Sequence, residues 1–268
     1  MKKTNTKALA LCIGAAAFAL AAAGCSFQTG STPTTAMSDP SAAQTSAGQN
    51  GSSASAENGA SSDPSADPFY DLLMQGDPDA VMDYINQHIA GASEIDKEDY
   101  ILGLCRMTDD LTEIDFSRLA PSAEWLPEDM NHFIAIMEQE YQNPVSADGI
   151  IMAPIPELLE RALQFEEQKN LYPDGITAPI AAELYEERMN AAIAGGYSKN
   201  MQTPSQYLND EGTRIAPLLL DSYTNFADAH PDSHTAEVVK EYLELLEHSG
   251  GAIDDAVEEF YENLWQKL

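Results

Sequence analysis

The chain has 268 residues, with 44 Asp plus Glu against 13 Lys plus Arg and a formal net charge of −31. So acidic a polypeptide repels nucleic-acid phosphates and anionic lipid headgroups, which excludes nucleic acid as a partner. The acids are scattered rather than blocked, the pattern of solvated faces on many helices.

At the start of the chain, Lys2, Lys3 and Lys7 precede an apolar run from Ala8 to Ala23. A charged start followed by an apolar run shorter than the ~20 residues that span a bilayer is the pattern of a secretory signal. Leu20 and Ala22-Ala23-Gly24-Cys25 end that run and resemble a bacterial lipobox. Small side chains suit a signal peptidase at the scissile bond, and a free thiol at the next position can take a diacylglycerol. The resemblance implies a lipoprotein: residues 1–24 are removed, and Cys25 carries the lipid and the palmitate-class acyl chains. It also implies an anchor on the extracytoplasmic face of a cell membrane, of Gram-positive type. Loss of residues 1–24 takes away three Lys and no acid, so the mature chain is more acidic still.

Cysteine usage follows from the same reading. Cys12 leaves with the signal and Cys25 is lipidated, so Cys105 stands alone and no intrachain disulfide can form. The exported domain must then be held by its core. Cys105 lies in Ile101-Leu102-Gly103-Leu104-Cys105-Arg106-Met107, where a buried, inert thiol is expected rather than a nucleophile.

Residues 26–67 are mostly Ser, Thr, Ala, Gly, Gln, Asn and Pro, with one aromatic, Phe27, and no Lys or Arg. Such a segment cannot bury enough apolar surface to offset its ordering entropy, so a disordered tether is expected. A flexible chain of that length spans roughly 35 Å, enough to lift a domain off a lipid surface. The expected organisation is therefore a signal over 1–24, a lipidated Cys and tether over 25–67, and a domain over 68–268.

Over 68–268 helix signals follow one another, and an all-α fold is expected: a helical bundle or a short helical-repeat array of about eight to ten helices. Asp67-Pro68 and Asp77-Pro78 each set a capping acid before a proline suited to the first helical turn. Val81, Met82, Ile85 and Ile89 form an apolar stripe closed by Gly91. Ser93 and Asp96 form a capping pair before the helix of Tyr100, Ile101, Leu104 and Met107. After an irregular stretch from Asp109 to Leu126, a further stripe comprises Met130, Phe133, Ile134, Met137 and Tyr141. Further helices are expected near Pro156–Asn170, Ala178–Ala194, Thr213–Ala229, Ser233–His248 and Ala252–Lys267. Gly195-Gly196 and Gly250-Gly251 punctuate them. Gly149 to Ile155 is the one apolar stretch with no helical spacing.

Two similarities run inside the domain. Asp148-Gly149-Ile150-Ile151-Met152-Ala153-Pro154-Ile155 is echoed by Asp174-Gly175-Ile176-Thr177-Ala178-Pro179-Ile180. Each is followed by Glu-Leu (Glu157-Leu158, Glu183-Leu184) and then Glu-Arg (Glu160-Arg161, Glu187-Arg188). The echo is either a stacked helical unit or turn chemistry that recurs because it is common. Near the end, Tyr223, Phe226, Pro231, Ser233, Ala236, Tyr242 and Leu243 resemble one tetratricopeptide-type helical hairpin. That resemblance implies a concave helical surface that binds a protein or peptide partner. The last helix, with Ile253, Val257, Phe260, Leu264 and Trp265, suits the cap such arrays need, and Phe260 and Trp265 are expected to cover the helix of Val238, Val239, Tyr242, Leu245 and Leu246.

The chemistry-bearing residues are few. His230-Pro231-Asp232-Ser233-His234, with Asp228 nearby, could chelate a metal, but Pro231 prevents a helical His pair and an interhelix turn is the plainer reading. His88, His132 and His248 sit singly on helices. No nucleophile elbow, phosphate loop, His-Glu-x-x-His or calcium loop is present. Leu72-Leu73-Met74-Gln75 is similar to the Gly-Leu-Met-Gln of lytic transglycosylases, yet the Glu-Ser that should precede it is absent. The sequence therefore points to a membrane-anchored helical interaction module with no cofactor. The alternative is an extracytoplasmic enzyme with an unrecognised site, metal-dependent at His230 and His234.

Overall fold

The computed structural model describes residues 68–268, so the signal, Cys25 and the tether lie outside the described residues. The domain is all-α. Its helices are α1 (Pro68–Gln75), α2 (Pro78–His88), α3 (Glu94–Cys105), α4 (Glu128–Gln142), α5 (Ile155–Leu171), α6 (Ala178–Ala194), α7 (Pro217–Ala229), α8 (His234–Ser249) and α9 (Asp255–Glu262). Short 3-10 turns cover Ile89–Gly91, Leu111–Glu113, Phe116–Trp125 and Leu264–Gln266, and a two-stranded hairpin pairs β1 (Ser146–Ala147) with β2 (Ile150–Ile151).

Local chemistry accounts for most helix starts. Asp77 accepts from the amides of Asp79 and Ala80, and Ser93 and Asp96 form a full capping box at α3. Ser233 caps α8 through the Ala236 amide, and Asp254 caps α9. Prolines in the first turns of α2, α5, α6 and α7 give up only amides that a helix start leaves unpaired. Gly195 and Gly250 close α6 and α8 in the left-handed conformation. Gly195 is needed for space as well, since a Cβ there would meet Tyr207 Cδ2 at 2.6 Å.

The core is a single cluster running through the described residues. Phe69, Met82, Ile85, Ile101, Phe116 and Phe133 fill it at the α1–α4 end, and Phe165, Tyr185, Met189, Tyr223, Tyr242 and Leu264 at the other. Helices α5 and α6 form its centre. They pack closely on each other, and α5 also lies against α4, α7 and α8. Ala162, Ala181 and Ala192 are fully buried, which keeps these backbones near one another.

Several expectations change in detail. The stripe on α4 includes buried Glu140 where Tyr141 was expected, and Tyr141 is exposed. Helix α7 starts at Pro217 rather than Thr213, because the Asn209 carbonyl side chain accepts from the Thr213 and Arg214 amides and holds them in a turn. The last helix is shorter than Ala252–Lys267: α9 ends at Glu262 and the chain tightens into a 3-10 turn. Leu264 is fully buried, as expected, while that change of period leaves Trp265 60% exposed. Phe260 does cover Tyr242, their rings stacked with centroids 5.7 Å apart, whereas Trp265 is mostly exposed.

The two Asp-Gly turns do different work. Asp148 and Gly149 both have positive φ (50° and 74°), the backbone of a two-residue hairpin turn, which favours Asp-Gly. Gly175 stands in an ordinary turn before α6, and its backbone is not left-handed. The echo therefore marks two helix entries of unlike geometry, α5 through a hairpin and α6 through a turn.

Candidate functional site

Helices α7 and α8 pack as a hairpin, with Tyr223 and Tyr242 edge to face at 5.4 Å between centroids. A groove of about 540 Å³ opens beside them. Its floor is apolar, made by Ile215, Pro217 and Leu220 on one side and Leu243 and Leu246 on the other. Glu244 and Glu247 line it from α8. The groove's end is fixed by backbone bonds: Ile215 N–H donates to Gly251 (2.8 Å), Gly251 N–H to Leu246 (2.7 Å), and Ala216 N–H to Tyr207 (2.9 Å). Arg214 donates from Nη1 to the Gly250 carbonyl at 2.8 Å, so its charge sits at the C-terminus of α8, where a cation is favourable. A second trough, about 630 Å³, flanks the other side of α8 and is lined by Glu241, Leu245, Glu259 and Phe260.

The chain matches no protein-family model, no curated protein and no solved structure. The site must be understood from its own side chains.

The turn between α7 and α8 does not gather its histidines. His230 Nε2 meets Glu160 of α5 at 2.9 Å, while His234 Nδ1 meets Glu237 at 3.2 Å and Nε2 meets the Lys267 carbonyl at 2.5 Å. Each imidazole thus ties its turn to a different element. Among the described residues no group of three or more His, Cys, Asp or Glu is placed to hold a metal ion. Replacing both His230 and His234 with Ala removes only partly exposed contacts, so the melting temperature should stay within a few degrees, with or without chelator. Stoichiometric metal in the purified protein, lost in this variant together with stability, would contradict that expectation.

Cys105 is buried on α3, and its burial pushes the thiol from an ordinary 9.0 up to about 12, with Arg106 opposing only weakly. The thiol is protonated at neutral pH and shielded from reagents. This is the environment of a packing residue, not of a nucleophile.

Two buried polar constructions emerge that helix periodicity did not identify. In the first, Glu140 of α4 is fully buried between two guanidinium groups. Arg188 of α6 donates to Oε2 from Nε (3.3 Å) and Nη2 (2.9 Å). Arg161 of α5 brings Nη1 to 3.2 Å of Oε1, an ion pair whose N–H is not aimed at the oxygen, and reaches Glu157 with Nη2 at 3.1 Å. The two arginines are those of the Glu-Arg echo, so the signal was visible while its target was not.

The second construction is a cap supplied from another helix. Glu166 of α5, nearly fully buried, accepts from the His234 amide (2.9 Å), the Thr235 amide (2.8 Å) and the Thr235 hydroxyl (2.6 Å). A carboxylate at a helix start satisfies orphan amides and opposes the positive end of the helix dipole. Tyr185 adds a hydroxyl contact to Thr235 at 3.1 Å, and Lys169 lies 4.3 Å over the Tyr185 ring. Burial lowers the Lys169 pKa, against the opposing pull of Glu166 and Glu186. This cluster pins the start of α8, and therefore one wall of the groove, to the central pair α5 and α6.

Proposed function

We propose that the chain is a lipoprotein held at the extracytoplasmic face of a cell membrane through the lipid on Cys25. In this reading residues 68–268 form an interaction module that takes a protein or peptide partner. The observation that carries the reading is the α7–α8 groove, whose apolar floor ends in a set of backbone bonds. A concave apolar site with a few fixed polar groups is the usual form of a binding site. The helical hairpin, with its Pro231-Asp232-Ser233 turn and the Tyr223–Tyr242 contact, supports the tetratricopeptide-type resemblance. No helix among the described residues is long and apolar enough to cross a membrane, so the domain itself supplies no helical anchor there. In this reading the lipid on Cys25 is the anchor.

Both halves of the proposal can be tested in intact cells. A photo-crosslinking residue is placed at Thr224, which lines the groove, and in a separate protein at Ile95 of α3, which is 71% exposed. Thr224 should give a discrete protein adduct and Ile95 none. Cys25→Ala should abolish lipid labelling and leave an uncut or mis-sorted precursor. Equal adducts from both positions would contradict the groove reading, and a wild-type protein that enters the aqueous phase on detergent phase separation would contradict the anchor.

A further inference from the structure

We infer that the α7–α8 groove takes a cationic, apolar segment of a different polypeptide; this rests on the groove reading above and names the partner's chemistry. Three observations converge. The floor is apolar, so the occupant must bring apolar side chains to displace water from Leu220, Leu243 and Leu246. The α8 wall carries Glu244 and Glu247, which are exposed and form no ion pair among the described residues. The one cation lining the groove, Arg214, donates to the Gly250 carbonyl and pairs with neither carboxylate, so two negative charges stand against one positive.

The spacing gives the match further detail. Residues three apart on a helix are neighbours, about 5–6 Å between Cβ atoms, so the two carboxylates form a pair that one or two guanidinium or ammonium groups can span. The second trough is lined by Glu241, Glu259 and Lys267; Lys267 pairs with Glu241, so Glu259 alone extends the same sign of charge there. An elongated segment crossing α8 would meet carboxylates on both sides of it. With a formal charge of −31 the whole molecule favours the approach of a cationic partner and slows an anionic one.

The charge also removes two occupants from the same chain. Residues 26–67 contain no Lys or Arg, and so cannot neutralise the groove's wall. A second copy would bring an equally acidic surface against it. The occupant is therefore a separate polypeptide, apolar enough for the floor and basic enough for the wall.

The test uses the purified full chain and four labelled synthetic peptides of equal length, read by fluorescence polarisation. One combines Leu with Arg; the second and third replace Arg by Gln or by Glu; the fourth keeps Arg and replaces Leu by Gly and Ser. The Leu–Arg peptide should bind about tenfold tighter than the Leu–Gln peptide, a factor equivalent to about 1.4 kcal/mol. The Leu–Glu and Gly/Ser–Arg peptides should bind least. Glu244→Gln with Glu247→Gln, both at exposed positions that leave the core intact, should bring the Leu–Arg peptide down to the Leu–Gln level. Leu220→Asn with Leu243→Asn should weaken it by about tenfold or more through the floor. If the Leu–Gln and Leu–Arg peptides bind the groove equally, the inference about charge fails while the groove reading stands. If Leu–Arg binding is indifferent to all four substitutions, diffuse charge attraction accounts for it and the inference is overturned. If no peptide binds, the inference and the groove reading fail together.

Discussion

Glu140→Gln is expected to lower the melting temperature by about 10 °C, a larger loss than any surface change in this domain should produce. Glu140 is the shared carboxylate between Arg161 and Arg188, and all three side chains are nearly or fully buried. Gln keeps the shape but removes the buried negative charge, leaving two guanidinium groups in a poorly solvating medium with only the exposed carboxylates of Glu157 and Glu187 as partners. Breaking a buried ion pair from one side costs about 3–5 kcal/mol, and for a domain of this size each kcal/mol moves the midpoint by roughly 2–4 °C. The control separates charge from packing. Glu140→Leu combined with Arg161→Met and Arg188→Met removes the charges together and should recover much of the loss, because an apolar replacement of a whole buried ion cluster is often neutral. A Gln variant as stable as the parent would show that Arg161 and Arg188 do not depend on Glu140.

Phe260→Ala should cost about 3–5 kcal/mol, the usual range for truncating a buried aromatic. The ring is 4% exposed and stacks on Tyr242, and Lys267 places its ammonium 5.3 Å from the centroid. Tyr242 is in turn hydrogen-bonded to Tyr261 at 2.7 Å and packed on Tyr223, so the loss reaches α7 through α8. Trp265→Ala, by contrast, should change stability by no more than about 0.5 kcal/mol, the scale of surface substitutions. Urea titrations of the two variants check both values. Equal destabilisation by the two would mean that Trp265 packs after all and that the chain end is not set as described.

Much of the fold was legible because the signals are local. Asp77, Ser93, Ser233, the helix-starting prolines and the paired glycines act on their own backbone neighbours, and each marks a helix boundary where it was expected or within a few residues. Errors arose where distant partners intervene. Thr213 to Ala216 continue the helical composition of α7, but Ile215 bonds to Gly251 and the Asn209 side chain captures the amides before it. Leu264 and Trp265 both looked like core residues by helical spacing; Leu264 is fully buried, and the switch to a 3-10 turn leaves Trp265 exposed. Glu140 is the clearest case: a charged residue in an acidic chain looks solvated until Arg161 and Arg188 arrive from two other helices.

The groove was only partly legible. The resemblance of residues 223–243 to a helical hairpin pointed to a binding surface, and the apolar positions Leu243 and Leu246 were read from the sequence, while Leu220 was not. Nothing local said that Arg214 would turn back onto Gly250 and leave Glu244 and Glu247 without an ion-pair partner. That arrangement depends on the bridge between residues 214 and 252, which joins the chain on either side of the hairpin. Nor could spacing show that Glu166 fixes the start of α8, since the carboxylate and the amides it accepts from are 68 and 69 residues apart.

The central claim is that the α7–α8 groove is where this protein binds its partner, and it is tested most directly by mapping a bound peptide onto the backbone amides. Isotope-labelled protein is titrated with the Leu–Arg peptide while amide chemical shifts are followed. The account predicts saturable shifts concentrated on α7, the second half of α8, residues 209–215 and Gly250-Gly251, with α1 to α3 unmoved. Shifts spread over acidic positions throughout the domain, or centred away from α7 and α8, would contradict it.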